Sequence, residues 1–401
     1  MSAPGVSPVD SFAARLPASA SWPATPDEPA IRALPAGPAV YLLHDDAARP
    51  VQLATTQDLR RALLARLVER TDADARRADL GAIVRGVRWC EVHSAFEARW
   101  RYWQLARELH ALDYRERVGF GPVYFLCVDN AAAVPEIEIT TKVWSPVGGC
   151  VGPWPTQAAA REALAGLWDL FDLCRYPEQV RRAPHGARCA YAEMGRCDAP
   201  CDGGAPLPAY RERVRAAWRF ACGAIDAWQR EATERMKAAA TAQRFEAAGL
   251  LKAQLAFAAR WRRQWPLVRP VDDWQALFAI PVPRRRSWKL FHFARGELRA
   301  GPVARLRELA GAARTFVSAA APSVDRAADE IARMEQAWLF AQFLFRRESA
   351  HAALVWLAGA AATPPELCGE VLHAQADRLS AAPRSTAGPA PSAARAPDET
   401  P

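Results

Sequence analysis

The sequence predicts an α+β protein: a small α/β domain, then a cysteine-rich segment and a helical hairpin, then a smaller C-terminal domain. Three observations carry this. Short strand-like runs alternate with helix-period segments between Leu34 and Asp172. Four cysteines follow, Cys174, Cys189, Cys197 and Cys201, spaced C-x14-C-x7-C-x3-C. A helical pattern then runs from Tyr210 to Trp265, is broken near Thr241 to Arg244, and stops at Pro266.

The chain has 401 residues, which suggests two or three domains. Hydrophobic content of 51% and charged content of 24% suit a folded protein rather than a disordered one. No stretch reads as a membrane span of about 18 apolar residues, and none as a signal peptide. A cytoplasmic protein with reduced thiols is the expected setting. The nine cysteines are odd in number and cannot all pair with one another. Net charge is +8 and the pI about 9.2. That balance favours a polyanionic partner, although an Arg-rich proteome produces the same balance.

In chain order, residues 1–30 are rich in Ala, Pro and Ser and read as a flexible tail, as do residues 380–401. Ala39 to Leu43 (AVYLL) and Val51 to Ala54 read as a hairpin around the turn His44 to Arg49. Asp58 opens a helix through Arg70, with Leu59, Leu63, Leu64 and Leu67 on one face. Val87 to Val92 is a strand, and Ser94 caps a helix to about Leu112. Val123 to Val128 and Ile137 to Thr141 are strands. Thr156 caps a helix reaching Cys174. Residues 34–172 thus read as one module with a small sheet. Residues 173–208 form the cysteine segment, and 209–266 the long helix and hairpin.

Residues 270–358 read as the last domain. Ala276 to Ile280, Trp288 to Phe293 and Glu297 to Ala300 are strands, with Arg295-Gly296 as a turn. Val324 to Leu344 is an amphipathic helix, and Leu354 to Leu357 one more strand.

Thiolates at Cys174, Cys189, Cys197 and Cys201 suit an iron–sulfur cluster or a structural zinc; the plainer alternative is buried free cysteines. Cys90, Cys127, Cys150, Cys222 and Cys368 lack ligand spacing and read as core residues. Alanines 239, 240, 247 and 248 let two hairpin helices approach closely, with Phe245 anchoring the turn and Glu246 near a helix N-terminus. Arginines 181, 182, 211, 213, 215, 260, 262, 263 and 284 to 286, interleaved with Trp218, Trp228, Trp261 and Trp265, suggest a phosphate-binding face; a solvated surface is the plainer reading.

Over roughly Leu34 to Leu357 the chain resembles the UvrC/Cho family of nucleotide-excision-repair endonucleases. Four stretches carry the resemblance: LPAGPAVYLLHDD, Gly152-Pro153-Trp154-Pro155, RCAYAEMGRCDAPCDG followed by Tyr210, and Met236-x3-Ala240-x4-Phe245-Glu246-Ala247-Ala248. The resemblance implies a GIY-YIG nuclease domain, a [4Fe-4S] cluster on the four cysteines, and a UVR hairpin. It also implies a truncated RNase H-like C-terminal domain with no catalysis assigned. The hairpin residues Met236, Ala240, Phe245, Glu246, Ala247 and Ala248 are implied to contact a UvrB-like partner. Leu251-Lys252 stands where the family has arginine-aspartate.

A GIY-YIG site needs a tyrosine on each hairpin strand, a helix arginine and a metal-binding glutamate. Tyr41 is the only surviving match. The second-strand triplet is Gln52-Leu53-Ala54, with Thr55 in the lysine position. The helix arginine falls at Ala62, beside Arg60 and Arg61, and the next helix tyrosine falls at Arg66. The glutamate position falls near Tyr102, with Glu97 and Glu108 elsewhere on that helix. The expectation is a DNA-binding fold, with Arg60, Arg61 and Arg66 on damaged duplex, that has lost cleavage. The alternative keeps Arg61 and Glu97 as a rearranged, magnesium-dependent site for 3′-side incision. A third class is an iron–sulfur nucleic-acid-binding protein without nuclease activity, for example on RNA.

Overall fold

The computed structural model describes residues 9–68, 79–119, 121–142, 149–195, 197–264, 267–283, 286–319, 330–359 and 362–381. Three four-stranded antiparallel sheets organise the chain. The first contains β1 (Ala18–Ser21), and after α1 (Glu28–Arg32) it gains β2 (Ala39–His44) and β3 (Pro50–Thr56). Then come α2 (Leu59–Leu63), a π-helical turn (Leu64–Val68), α3 (Leu80–Ile83) and β4 (Gly86–Glu91). The strand order is β1-β4-β2-β3. Strand alternation sends Val40 and Leu42 to one face and Tyr41 and Leu43 to the other. The Tyr41 face packs on Leu59, Leu63 and Leu67. The Val40 face packs on α4 (Ala95–Leu109), through Phe96, Trp100 and Trp103.

The flexible-tail expectation for residues 1–30 is corrected over 9–30. Val9, Phe12 and Leu16 are 1%, 5% and 0% exposed, and β1 pairs with β4. Their three- and four-residue spacing is a helical signal that the abundant Ala, Pro and Ser concealed. The expected caps form: Asp58, Ser94 and Thr156 accept from the N–H of Arg61, Glu97 and Ala159.

After α5 (Tyr114–Val118) the chain enters a second sheet of β5 (Tyr124–Val128), β6 (Ile137–Thr140) and β7 (Cys150–Trp154). These strands were expected to share the first sheet; they form their own. Next come α6 (Gln157–Phe171), α7 (Pro177–Val180), α8 (Ala190–Glu193), α9 (Leu207–Ala221), α10 (Ile225–Thr241) and α11 (Phe245–Gln264). The long helix therefore breaks twice. The unexpected break follows Cys222, where Gly223 adopts φ +110°, a conformation glycine takes readily. The chain then returns as β8 (Arg269–Pro270), completing the order β6-β5-β7-β8.

The third sheet holds β9 (Gln275–Val282), β10 (Ser287–Ala294) and β11 (Glu297–Arg305). α12 (Leu309–Ser318) and α13 (Glu330–Leu344) follow, then β12 (Ala353–Trp356) and α14 (Cys368–Ala381). The order is β11-β10-β9-β12. α12 and α14 cover one face. α13 covers the other and is buried nearly all round, not amphipathic as expected. α14 runs into the segment expected as a C-terminal tail; residues 382–401 lie outside the described residues. Among the described residues no helix is long and apolar enough to cross a membrane.

The first and third sheets share one core. Phe96 of α4 meets Phe278, Phe291 and Phe343 with ring centroids 5.6, 5.4 and 4.7 Å apart. Below them the Glu335 carboxylate, 0% exposed, accepts from Trp103 Nε1 (2.9 Å), Tyr114 Oη (2.7 Å) and Arg115 Nε (2.8 Å).

His292 on β10 is 6% exposed, and burial followed by nearby Arg299 lowers its imidazole pKa to about 4. The unfolded chain binds this proton near pH 6.5, so His292's contribution to stability is intact above that value and is lost as pH falls toward 4. We expect His292→Leu to abolish on the order of 3 kcal/mol of the acid destabilisation between pH 7 and pH 4. Urea unfolding of both proteins at several pH values checks this; parallel pH profiles would refute it.

Candidate functional site

Tyr41 stands opposite Ala54 on β3 and Trp89 on β4. It is fully buried, and its hydroxyl makes no hydrogen bond. Burial raises the phenol pKa against a smaller opposing pull from Arg66. The Arg66 guanidinium lies 6.0 Å from the Tyr41 ring and donates to Gln52 Oε1 at 2.5 Å. Arg66 rises from the π-helical turn and is exposed, as is Arg61. Arg60 is tied inward: its Nε and Nη2 donate to the Leu34 carbonyl at 2.9 and 2.7 Å.

Glu97 does not join this group. α2 covers the Tyr41 face of the first sheet, whereas α4 covers the opposite face. Glu97 is 2% exposed, and its Oε2 accepts the His93 backbone N–H at 2.9 Å. Its Oε1 lies 3.6 Å from Lys289 Nζ on β10. Burial works to raise its pKa, but His93 and Lys289 outweigh burial and hold it low. Glu97 is thus an interface carboxylate. Glu108 pairs with Arg15 at 2.5 Å, and Tyr102 is half-buried against the shared core. Sequence reasoning missed this because a carboxylate's face cannot be assigned before the packing of its helix is known. The strands of the third sheet carry a single carboxylate among the described residues, Glu297.

The four cysteines gather where α6 ends. Cys174 follows the left-handed Asp172 (φ 48°), and its Sγ lies 3.4 Å from the Tyr176 N–H nitrogen. Cys189 precedes α8, and Cys197 and Cys201 lie buried in the loop beyond. The Gly186 N–H donates to the Cys201 carbonyl at 2.8 Å. A Cβ at Gly186 would meet the Gln179 carbonyl oxygen at 2.3 Å, so the close loop crossing requires glycine there. All four are free thiols. Burial, then repulsion from Cys197, Cys201 and Cys189, pushes Cys174 up to about 11, despite the Tyr176 N–H. Burial, with repulsion from Cys189 and Cys201, raises Cys197 also. The four therefore share one locale, and their type and number suit a thiolate-bound metal. Among the described residues no three His, Cys, Asp or Glu side chains are arranged to hold a metal ion, so ligation would require the thiols to turn inward. A cavity of about 20 Å³ opens beside Cys174, Tyr210 and Trp168.

Two further cysteines need correction. Cys127 and Cys150, expected as reduced core thiols, face each other across β5 and β7 with Cα atoms 4.3 Å apart, joined as a disulfide. Spacing alone could not reveal this, because 23 residues separate them and the register of β7 decides the pairing.

α10 and α11 form the expected hairpin, turning through Gln243 at φ 58°. Its base packs on α6 and α9, where Trp261 meets Trp154, Phe220 and Phe257. Gln254 also donates to the Asp169 carbonyl at 3.0 Å. The tip is open. Ala240, Phe245, Glu246 and Ala247 are exposed, and Met236 and Ala248 half-buried. Phe245 does not anchor the turn as expected; it is 71% exposed, with Leu250 at 60%. Ala239 and Leu251 face inward instead.

The expected face of interleaved arginine and tryptophan is also corrected. Trp218 and Trp261 are 9% and 2% exposed, and Trp228 is half-buried in the same core. Arg181, Arg213, Arg215, Arg260 and Arg262 pair with Glu136, Asp198, Glu212, Glu162 and Asp226. Trp265, Arg284 and Arg285 lie outside the described residues.

Residues 123–220 match the family model for the UvrC/Cho excinuclease middle domain, a span that takes in β5 to β7, α6, the cysteines and nearly all of α9. The chain is similar to UvrABC system protein C of Stenotrophomonas maltophilia strain R551-3, 33% identical over 141 residues, covering 33% of this chain and 23% of that protein. Its counterpart in Geotalea daltonii is 26% identical over 219 residues, covering 53% and 34%. That of Moorella thermoacetica is 37% identical over 124 residues, covering 30% and 20%. The UvrC/Cho resemblance thus holds over a part of the chain, and the matches span 20% to 34% of these curated relatives. No solved structure matches.

Because the Tyr41 hydroxyl is buried without a partner, we expect Tyr41→Phe to leave stability unchanged or to raise it by up to about 1 kcal/mol. A loss greater than about 1 kcal/mol in urea unfolding would mean that the hydroxyl has a partner in solution.

Proposed function

We propose that the chain is a UvrC/Cho-like protein of nucleotide excision repair that binds DNA and a repair partner but no longer cuts. The observation that carries this is the divergence of Tyr41 and Glu97 to opposite faces of the first sheet. Hydrolysing a phosphodiester requires an activated water, a metal on the phosphoryl oxygens and a cation for developing charge, all converging on one point. Gln52 stands where a second tyrosine would be needed, and Glu97 is committed to His93 and Lys289. The exposed Arg61 and Arg66 remain on the Tyr41 side, available to duplex phosphates. On this reading residues 34–122 keep a GIY-YIG-like fold, and the third sheet is a truncated RNase H-like domain.

Cys174, Cys189, Cys197 and Cys201 would hold a [4Fe-4S] cluster, or alternatively a structural zinc. The group would supply folding free energy, on the order of 10 kcal/mol for structural zinc. The residues themselves join the second sheet to α9, so their convergence fixes how the hairpin leaves the body. The open tip at Phe245 and Leu250 suits docking by a UvrB-like protein.

A nicking assay on lesion-bearing duplex with magnesium, beside an intact homologue, tests the central claim. We expect salt-sensitive binding without cleavage. Magnesium-dependent nicking would replace the proposal with an active 3′-side excinuclease, and tighter binding to structured RNA than to damaged duplex would displace the DNA-repair reading.

At the hairpin, we expect Phe245→Ala to weaken association with a UVR-bearing partner by about 2 kcal/mol, roughly thirtyfold in Kd. Titration calorimetry or pull-down measures this; unchanged binding would exclude the tip as the interface.

A further inference from the structure

Arg213 lies one turn beyond Tyr210 on α9, its guanidinium 5.7 Å from the Tyr210 ring. Tyr210 is 3% exposed and touches the backbone of Cys174. Arg213 Nη1 donates to Asp198, the residue after Cys197. Its Nε and Nη2 are buried and make no hydrogen bond. A guanidinium has five N–H donors and no acceptor, and buried donors left unmade are costly. Other arginines of the segment have carboxylate partners and no orphaned buried donor: Arg175 on Asp169, Arg181 on Glu136, and Arg188 on Asp202 at 2.9 Å. Of these, Arg213 is the one with buried donors left unpartnered, and its charge acts on Cys197 and Tyr210. A neutral thiol is a weak acceptor; a thiolate is a strong one.

We propose that Arg213 is the charge-compensating hydrogen-bond donor to the thiolate centre formed by Cys174, Cys189, Cys197 and Cys201, a role that rests on the metal reading above. Four thiolates carry four negative charges, more than a zinc ion or an oxidised cubane core cancels. The fold places a cation with buried Nε and Nη2 on Asp198, next to Cys197, and those unused N–H groups are of the type that stabilise metal-bound sulfur and raise a cluster's reduction potential. Asp172, exposed at the end of α6, also lies within Arg213's electrostatic reach and is the competing acceptor.

The test uses the full chain, purified anaerobically as wild type, Arg213→Gln, Arg213→Lys and Asp172→Asn. Metal content, the rate of metal release to a chelator and, for iron, the midpoint potential are measured. We expect Arg213→Gln to release metal about tenfold faster or more and, with iron, to have a more negative potential. Arg213→Lys, which keeps the charge, should recover part of both effects, and Asp172→Asn should keep the wild-type values. Unchanged release and potential in Arg213→Gln, or in Arg213→Lys should the glutamine variant not fold, would overturn the role of Arg213 and leave the cysteines' role standing. Changes in Asp172→Asn equal to those in Arg213→Gln would assign the guanidinium to Asp172 instead. Wild-type protein holding neither iron nor zinc would overturn the metal reading itself.

Discussion

The buried carboxylate of Glu335 is the constraint on which the assembly of the sheets depends. An ionised group at zero exposure is tolerated only when its lone pairs are filled. Trp103, Tyr114 and Arg115 fill them, with Arg107 Nε a further 3.7 Å away. All four donors come from α4 and α5, whereas Glu335 belongs to α13. The polar groups beside it extend the same logic. Gln336 accepts the Leu298 N–H of the third sheet at 3.1 Å, and Trp338 donates to the Thr141 carbonyl beyond the second sheet, also at 3.1 Å. One buried helix therefore holds elements of all three sheets through directional bonds, while aromatic packing around Phe96 and Phe340 supplies the apolar burial.

This arrangement bears directly on chemistry. A carboxylate on an exposed helix face is available to a metal. Here α4 is enclosed by β9, β10 and α13, and Glu97 neutralises Lys289 inside the join. Recruiting Glu97 for interdomain packing and retaining it as a metal ligand are incompatible demands on one side chain. Under the proposed function, the exposed Arg61 and Arg66 would suit phosphate-backbone contacts, which need charge but no convergence.

Much of the fold was legible because its elements obey local rules. The caps at Asp58, Ser94 and Thr156, the turn at Arg295-Gly296 and the β2–β3 hairpin all follow from short-range chemistry. What stayed hidden depends on distant partners. β1 has the sequence Ala-Ser-Ala-Ser and becomes a strand only because the edge of β4 is free to receive it. The division of 34–172 into two sheets rests on the ladders β5 makes with β6 and β7, to which β8, two residues long, adds only after the hairpin. The spacing of the four cysteines is legible in the sequence, but the rotamers that would complete a ligand set are not written in spacing, and among the described residues no three candidate ligands are arranged to hold a metal. Phe245 was misplaced because an aromatic at a turn reads as an anchor, whereas the short Ala239 and Leu251 close the hairpin and leave it outside.

The return of the chain at β8 makes everything from α6 to α11 an excursion from a single sheet. It leaves at Trp154 and comes back where Gly152 pairs with Arg269 and Val151 with Pro270. Exit and entry are therefore neighbouring rungs of one ladder, and the α6–α11 lobe is bounded by a closed stem. A lobe inserted this way can lengthen, shorten or exchange its hairpin without shifting any strand of the body. Conversely, a pull on the hairpin tip, some 30 Å out for a helix of 20 residues, is delivered to both rungs at once. The lobe is also seated on the sheet through α6, in one core with β5, β6 and β7, and the cysteine loop lies by the β6 edge, across the sheet from the stem.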